Sequence, residues 1–240
     1  MKNERKNRVT IHQLFWYFII FSILGLIIET VYCYITSGVL ESRKGLIWGP
    51  FCPVYGVSAA ILLLFLNKYK EKNIIWLFIY GFIVGSIAEY ILSYGLEAIY
   101  GMRFWDYGYS KINLNGRICL QYSIYWGILS VILIKFIKPL IDKMIDKIPM
   151  KTRNVIEIGI FIFLIFDCIF TVWGIQTYEN RILNQNSIII KSGDNFSIKT
   201  YIEENYFTNE RMSKTFPNLR IKDKDGNEIW IKTLIEQDTN

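Results

Sequence analysis

Four acidic residues lie within long apolar stretches or close to their ends. Glu29 follows "LGLII", Glu89 and Glu97 follow "GSIA" and "LSYGL", and Asp167 follows "IFLIF". An ionised carboxylate is costly in a nonpolar environment, so such residues often bind a cation, relay a proton or contact a polar substrate. The alternative is that they hold neighbouring segments in register through hydrogen bonds and ion pairs. Both interpretations remain open from the sequence.

Small and acidic residues recur at every fourth position in two of these stretches. The positions are Gly25, Glu29 and Cys33 in the first stretch, and Gly81, Gly85, Glu89, Ser93 and Glu97 in the second. On an α-helix this spacing places the residues on one face, and glycines there allow another helix to approach closely. We therefore expect the two faces to point into a helix bundle and to face each other. Arg103 and Arg117 are the expected ionic partners of the acids.

The elements that carry these residues are predicted to span a membrane. Of the 240 residues 52% are hydrophobic, and the mean hydropathy is +0.26. Five windows contain no Asp, Glu, Lys, Arg or His: 15–28, 51–66, 74–88, 120–134 and 159–166. With their flanks they give segments at about 13–36, 50–67, 74–100, 118–140 and 155–176, near the roughly 20 residues that cross a bilayer. A soluble helix would keep a polar stripe. The predicted fold is an all-α membrane protein with five transmembrane helices in a bundle.

Basic residues predict the orientation of these segments. Lys and Arg are concentrated before the first segment, between the second and third, and between the fourth and fifth. Because such loops stay in the cytoplasm, we expect a cytoplasmic N-terminus and a tail outside. Glu29, Glu89, Glu97 and Asp167 then belong to the outer half of the membrane. His12 and Glu157 lie near the cytoplasmic surface, where we expect Glu157 to be solvated and His12 to have no ligand partner nearby.

The chain divides into a membrane domain, 1–178, and a polar C-terminal tail, 179–240. In the tail, hydrophobic and polar residues alternate around Asp225-Gly226, which predicts a β-hairpin near 219–233. The stretch 186–202 also favours extended structure. We expect a small strand-containing module outside the membrane.

The stretch "GLIWGPFCPVYG", residues 45–56, precedes a long apolar run. Prolines suit the first turn of a helix, where the missing N–H has no intrahelical acceptor, and Trp48 suits a membrane interface. Gly49, Cys52 and Gly56 offer a small-residue face to the helix that carries Glu29. The stretch is predicted to form the outer wall of an acid-lined cavity, where a helix N-terminus favours an anionic group.

The connection over residues 100–122 is rich in aromatic residues and also carries charged and amide side chains. An interfacial aromatic belt explains the tyrosines at 100 and 109. The remaining polar residues predict a structured lid closed by an Asn115-Gly116 turn. These residues are Arg103, Trp105, Asp106, Asn113, Asn115 and Arg117.

Several function classes have no support in the sequence. No P-loop, G-x-S-x-G or H-E-x-x-H pattern occurs, and we expect no cofactor and no metal site. The four cysteines form no C-x-x-C pair and fit small apolar positions. The net charge of +6 is explained by the basic loops, whose neighbours are anionic lipids, so the lipid bilayer is the expected partner and nucleic acid is not.

Two long strings, "FSILGLIIETVYCYITSGVLESRKGLIWGPFCPVYG" and "EYILSYGLEAIYGMRFWDYGYSKINLNGRICLQYSIYWGIL", carry a resemblance. Over about residues 14–175 the chain resembles the putative ABC-transporter type IV family, whose members are multi-span bacterial membrane proteins. One departure is Leu26, where the family pattern has Trp. The matching positions are Glu29, Gly49, Pro50, Cys52, Pro53, Tyr55, Gly56, Glu89, Tyr90, Glu97, Trp105, Asp106, Tyr107, Asn115, Gly116, Arg117, Trp126 and Gly127.

The resemblance implies an ABC-type permease in the bacterial cytoplasmic membrane, served by a separate ATPase subunit. The leading hypothesis is a transport subunit without an enzyme activity of its own. The alternatives are a membrane-embedded enzyme acting on a lipid or envelope precursor, with Glu29 or Glu89 as general base, and a non-catalytic partner or sensor. A homo-oligomer is also open. The candidate site residues are Glu29, Glu89, Glu97, Asp167, Arg117, Arg103, Trp105, Asp106, Tyr107 and Asn115.

Overall fold

The structure is a computed structural model that describes residues 9–100, 103–184, 198–222 and 228–231. Within these residues the chain is mostly helical, with two short antiparallel strand pairs. The helices are α1 (Ile11–Ser37), α2 (Pro53–Leu66), α3 (Ile74–Tyr100), α4 (Leu120–Ile132), α5 (Lys138–Asp146), α6 (Met150–Asn184), α7 (Ile198–Tyr206) and α8 (Asn209–Thr215). The strands are β1 (Asn113–Leu114), β2 (Ile118–Cys119), β3 (Arg220–Lys222) and β4 (Glu228–Trp230).

Local sequence signals explain where the first two helices begin and end. Thr10 and Gln13 form a reciprocal capping box at the start of α1, and Gly38 ends the helix with a positive φ of 72°. Helix α2 starts at Pro53, directly after the extended residue Cys52.

Four helical segments are long and apolar enough to cross a membrane, among the residues that the structure describes. They are α1, α3, the continuous segment Leu120–Asp146, and α6. The segment Leu120–Asp146 joins α4 to α5 through a π-helical turn at Leu133–Ile137. The chain is therefore a multi-pass membrane protein.

The second predicted span, 50–67, is shorter in the structure than the sequence suggests. Its apolar helix covers Pro53–Tyr69, with its last residues in a 3₁₀ turn. Residues before Pro53 do not continue the helix because Pro50 and Pro53 interrupt it. Five complete spans remain a prediction.

Polar contacts show which links between helices share an end of the bundle. Gln13 donates a 3.1 Å hydrogen bond to Asp142 of α5, and the Lys135 ammonium donates to the carbonyl of Lys70 at 2.6 Å. The α2–α3 link and α5 therefore lie beside the start of α1. At the opposite end, Arg220 of β3 lies 3.9 Å from Asp106 in the α3–α4 connection.

Helix pairing differs from the expected meeting of the two acid-bearing faces. Helix α1 packs mainly against α2, and α3 packs mainly against α4. Gly25 lies under the ring of Tyr55, and Gly56 lies against Ser22 and Phe18 of α1. Gly81 and Gly85 lie against α4 at Ser130 and Trp126, and Gly127 lies against Phe78. Each small-residue face thus packs against the next helix in the chain, because consecutive elements are usually adjacent in space.

We expect Gly81→Ala to lower the free energy of unfolding by about 1–3 kcal/mol, the usual cost of overpacking. A methyl group at Gly81 would lie only 2.3 Å from the Ser130 side chain. Gly95→Ala, also on α3, is the matched control, because nothing lies within 4 Å of its added methyl group. Thermal unfolding in detergent compares the two variants, and equal melting temperatures would contradict this packing.

The C-terminal segment packs on the end of α6 and on residues 47–48. Ile175, Tyr178 and Ile182 of α6 share one apolar core with Ile47 and with residues of the tail. The tail residues of this core are Phe207, Met212, Phe216, Leu219 and Ile231. Because α6 extends to Asn184 within this cluster, the proposed boundary at residue 178 remains a prediction.

Two features of the tail relate to the sequence predictions. Strands β3 and β4 pair antiparallel, with Ile221 opposite Ile229, inside the interval predicted to form a hairpin. The Asp225-Gly226 turn lies outside the described residues, as does 186–197 of the stretch predicted to be extended. Residues 198–202 of that stretch are helical in α7. Their extended-chain prediction is wrong, because β-branched composition is a weak guide where tertiary packing decides.

Candidate functional site

Residues 45–52 form a non-helical segment that lies between the helices. The N–H of Cys52 donates to the carbonyl of Ser22, near the middle of α1, at 3.0 Å. The N–H groups of Trp48 and Gly49 donate to the two carboxylate oxygens of Asp167 at 3.2 and 2.9 Å. Backbone outside a helix is tolerated at membrane depth only where protein or a cavity satisfies its polar groups. We call residues 45–52 the buried segment.

Asp167 is the anchor of the buried segment. Its side chain has no exposed surface, and it also accepts a 3.4 Å hydrogen bond from the hydroxyl of Thr171. The Thr171 hydroxyl in turn accepts from the N–H of Ile47 at 3.1 Å. Two backbone donors and one hydroxyl thus surround this carboxylate. Of the candidate site residues, Asp167 therefore has a structural role, because it holds the backbone of the buried segment in place.

Glu29 lies next to the end of the buried segment. Its half-buried carboxylate faces the hydroxyl of Tyr55 and the guanidinium of Arg43. Tyr55 can lie there because Gly25 presents no side chain: a methyl group at Gly25 would fall 2.2 Å from the Tyr55 ring. The sequence prediction missed Arg43, although a basic residue shortly before "GLIWGPFCPVYG" was a signal for it.

Glu89 is buried in the bundle, with 6% of its surface exposed. The hydroxyl of Tyr107 donates to one carboxylate oxygen at 2.8 Å, and the indole N–H of Trp126 donates to the other at 3.0 Å. Burial and the neighbouring Glu89 raise the pKa of Tyr107 far above its ordinary value, so this phenol remains a donor. The ring of Tyr107 stacks on Tyr122, with centroids 4.5 Å apart.

The Glu29 and Glu89 sites are neighbours through their tyrosines. Tyr55, which faces Glu29, is close enough to Tyr107 to act on it electrostatically, and Tyr107 bonds Glu89. We call Glu29, Tyr55, Tyr107 and Glu89 the Glu–Tyr cluster, and its two halves are linked by this electrostatic effect. It lies next to the buried segment, because Tyr55 is in the first turn of α2.

The two arginines pair with one of the expected acids, Glu97. Arg117, with 7% of its surface exposed, pairs with Glu97 and donates to the hydroxyl of Ser93 at 3.1 Å. Arg103 also pairs with Glu97, at 3.2 Å. Arg117 and Arg103 therefore neutralise Glu97, while the donors to Glu89 within the described part of the chain are neutral. The position of Glu97 one turn beyond Ser93 on the face of α3 explains this, since it meets the connection where the arginines lie.

The α3–α4 connection is a structured cover, as the Asn115-Gly116 turn predicts. Asn115 and Gly116 have positive φ angles of 53° and 68°, and the N–H of Arg117 donates to the carbonyl of Leu114. The two positive φ angles and this hydrogen bond match a type I′ turn, and the pairing of Leu114 with Ile118 leaves residues 115–117 between the strands. Further contacts hold the cover in place: Asp106 Oδ1 accepts from the Gly108 N–H at 2.9 Å, Trp105 Nε1 donates to the Arg117 carbonyl at 3.1 Å, and Asn115 Nδ2 donates to the Tyr90 hydroxyl at 3.1 Å.

A second polar cluster lies at the opposite end of the bundle. Glu157 of α6 hydrogen-bonds with the imidazole of His12 at 2.5 Å and accepts from the indole of Trp16 at 2.7 Å. Its side chain is 12% exposed. The expectations of a solvated Glu157 and an unpartnered His12 are therefore wrong. A contact between residues 145 positions apart has no local signal in the sequence.

Comparison with known proteins supports the resemblance. The family model described as Putative ABC-transporter type IV matches residues 16–172, more than half of the chain. The matched range includes the buried segment, the Glu–Tyr cluster, Arg117 and Asp167. No curated protein and no solved structure matches the chain.

Proposed function

The chain belongs to the putative ABC-transporter type IV family, and on this premise we propose that it is the membrane subunit of a transport system. In this proposal the chain crosses the bacterial cytoplasmic membrane five times, with its N-terminus in the cytoplasm and its tail outside. The substrate or ion site is the Glu–Tyr cluster in the outer half of the bundle. A separate subunit supplies ATP hydrolysis, because the sequence contains no P-loop motif.

The observation that carries the proposal is the position of the Glu–Tyr cluster beside the buried segment. Transporter binding sites commonly lie near the middle of the membrane, where a helix is interrupted and free backbone groups and half-helix ends meet. Here helix α2 begins inside the bundle, and its first turn presents Tyr55 toward Glu29. The start of α2 and the acidic side chains therefore occupy one region.

The hydrogen-bond partners of Glu89 suit a site where the carboxylate binds and releases a ligand. Both of its hydrogen bonds come from uncharged groups, the Tyr107 hydroxyl and the Trp126 indole. Among the described residues no basic side chain forms an ion pair with Glu89. A carboxylate held this way can accept a proton or a cationic group of a substrate without first breaking an internal salt bridge. Glu97 has two arginine partners and lacks this freedom.

The proposal predicts that Glu89→Gln abolishes coupled ATP turnover while preserving the fold. The full-length chain is purified from its native membrane with its ATPase subunit and reconstituted into proteoliposomes. We expect Glu89→Gln to reduce ATP hydrolysis coupled to the membrane subunit by at least about tenfold, the effect of 1.4 kcal/mol of lost interaction. Glu71→Gln is the matched control, since Glu71 is exposed in the α2–α3 link.

Glu29→Gln is measured beside Glu89→Gln, with thermal unfolding as the check on folding. If both variants turned over ATP like Glu71→Gln, the Glu–Tyr cluster would not be the transport site. If no ATPase subunit accompanied the wild-type chain, the permease role itself would be wrong.

A further inference from the structure

A shallow groove lies between the α3–α4 connection and the first turns of α4. It encloses about 380 Å³ and is lined by Ser110, Lys111, Ile112, Leu120, Gln121, Ile124 and Tyr125. The groove is separate from the Glu–Tyr cluster, and it shares none of the candidate site residues.

The walls of the groove are fixed by backbone hydrogen bonds. The N–H of Leu120 donates to the carbonyl of Ile112 at 3.1 Å, and Asn113 pairs with Cys119 in the β1–β2 ladder. The amide of Asn113 also donates to the carbonyl of Ser110 at 2.6 Å. The groove therefore exists before any ligand arrives.

Polar and apolar groups divide the lining of the groove into two parts. The polar part consists of Lys111, Ser110 and Gln121. The Ser110 hydroxyl donates to the carbonyl of Ile112 at 3.4 Å, and Gln121 donates to the hydroxyl of Tyr125 at 3.0 Å. Lys111 is exposed and forms no ion pair with any acid in the described part of the chain. Ile112 and Ile124 supply the apolar part. This combination of a cationic side chain and an apolar surface suits an amphiphile with an anionic head group.

The apolar part continues along the surface of α4. Exposed residues recur every four positions, so they form a single line on the helix, and 38–45% of each is exposed. The line runs from Leu120 through Ile124 and Ile128 to Ile132. Twelve residues of helix at 1.5 Å each span about 18 Å, close to one leaflet of a hydrocarbon core about 30 Å thick.

We propose that one anionic phospholipid of the surrounding bilayer binds in this groove. Its phosphate lies at Lys111, beside Ser110 and Gln121, and one acyl chain follows the line from Leu120 to Ile132. Lysine is an effective point charge for a phosphate. The lipid links the α3–α4 connection to α4, and so supports the cover that holds Tyr107 against Glu89. The site does not depend on the transport function.

Native mass spectrometry of the full-length protein tests this site. The protein is exchanged into detergent containing equal amounts of phosphatidylglycerol and phosphatidylcholine. We expect the wild-type chain to retain one phosphatidylglycerol, and Lys111→Glu to reduce that occupancy by about tenfold, equivalent to 1.4 kcal/mol. Lys214→Glu, at an exposed lysine of α8 outside the basic loops, is the matched control and should keep wild-type occupancy.

A second variant tests the apolar half of the site. Ile124→Trp fills the groove and should lower phosphatidylglycerol occupancy without lowering the melting temperature, since residue 124 is on the surface. Equal occupancy in wild type and Lys111→Glu would overturn the proposal. So would equal retention of the two lipids by the wild-type chain, or a protein dimer that Ile124→Trp dissociates.

Discussion

Asp167→Ala is expected to lower the free energy of unfolding by about 3–5 kcal/mol. The substitution leaves the N–H groups of Trp48 and Gly49 without an acceptor in a buried site. Each unsatisfied buried donor costs about 1–3 kcal/mol, and the missing side chain leaves a cavity that adds to this cost. Water cannot replace the acceptor easily, because the carboxylate has no exposed surface.

Two further variants separate the hydrogen bonds from the change in charge. Asp167→Asn keeps one acceptor oxygen and nearly the same volume, so its destabilisation should be smaller than that of Asp167→Ala. Asp146→Ala removes an exposed acid from α5 and should change stability by less than about 0.5 kcal/mol. Reversible unfolding of the full-length protein in detergent micelles measures all three.

Release of the buried segment should also be visible at Cys52. This residue is 8% exposed and lies at the end of the segment, where its N–H bonds the Ser22 carbonyl. We expect Asp167→Ala to speed alkylation of Cys52, while Asp146→Ala leaves it slow. Wild-type stability together with wild-type alkylation in Asp167→Ala would show that Asp167 does not hold the segment.

The sequence predicts the local features of the fold because their causes are local. Uncharged windows predicted α1, α3 and the segment Leu120–Asp146, which are long enough to span a membrane in the structure. Positive φ at Asn115 and Gly116 follows from residue types that tolerate the left-handed region. The spacing of Gly81, Gly85 and Glu89 predicted that one face of α3 packs against another helix, and in the structure that face packs against α4.

The partners of that face were not predictable from spacing. A stripe of small residues predicts that another helix packs closely on that face. It does not predict whether that helix is the next one in the chain. In the structure Glu89 meets Trp126, 37 positions later, while Glu29 faces Tyr55. Arg117 was correctly expected to have an acidic partner, and spacing alone did not select Glu97 from the acids of that face.

The anchoring of the buried segment between the helices is the feature that the sequence predicts least well. Residues 45–52 were predicted to form the outer wall of a cavity beside the helix of Glu29, and their local pattern did not identify the residue that anchors them. Their burial depends on Asp167, which lies 119 positions after Trp48. A buried carboxylate without donors is destabilising, and so are buried N–H groups without an acceptor. The hydrogen bonds between Asp167 and the segment remove both costs.

Arg117→Ala is expected to be the second strongly destabilising substitution, at about 3–5 kcal/mol, the usual cost of removing one partner of a buried ion pair. The guanidinium pairs with Glu97, bonds Ser93 and lies 5.4 Å from the centre of the Tyr94 ring. Without it, Glu97 loses one of its arginine partners and the cover loses an attachment to α3. Thermal unfolding of the purified chain measures the loss.

Arg117→Lys tests whether geometry matters beyond charge. Lysine keeps the charge but lacks the planar fork that reaches Glu97 and Ser93 together, and it stacks poorly on aromatic rings. We therefore expect its melting temperature to lie between those of wild type and Arg117→Ala. Lys147→Ala, an exposed lysine after α5, should match wild type.

The double variant Arg117→Met with Glu97→Leu distinguishes a charge-balance role from a packing role. Removing both charges leaves no unpaired acid at position 97, and such replacements of buried pairs are often neutral or stabilising. Arg103 also loses its pairing with Glu97, but its side chain is 25% exposed, so water can solvate it. We expect the double variant to regain most of the stability lost in Arg117→Ala. If it were no more stable than that single variant, the contribution of Arg117 would come from its hydrogen bond to Ser93 and its contacts with the tyrosine rings, because those are the interactions that the double variant also removes.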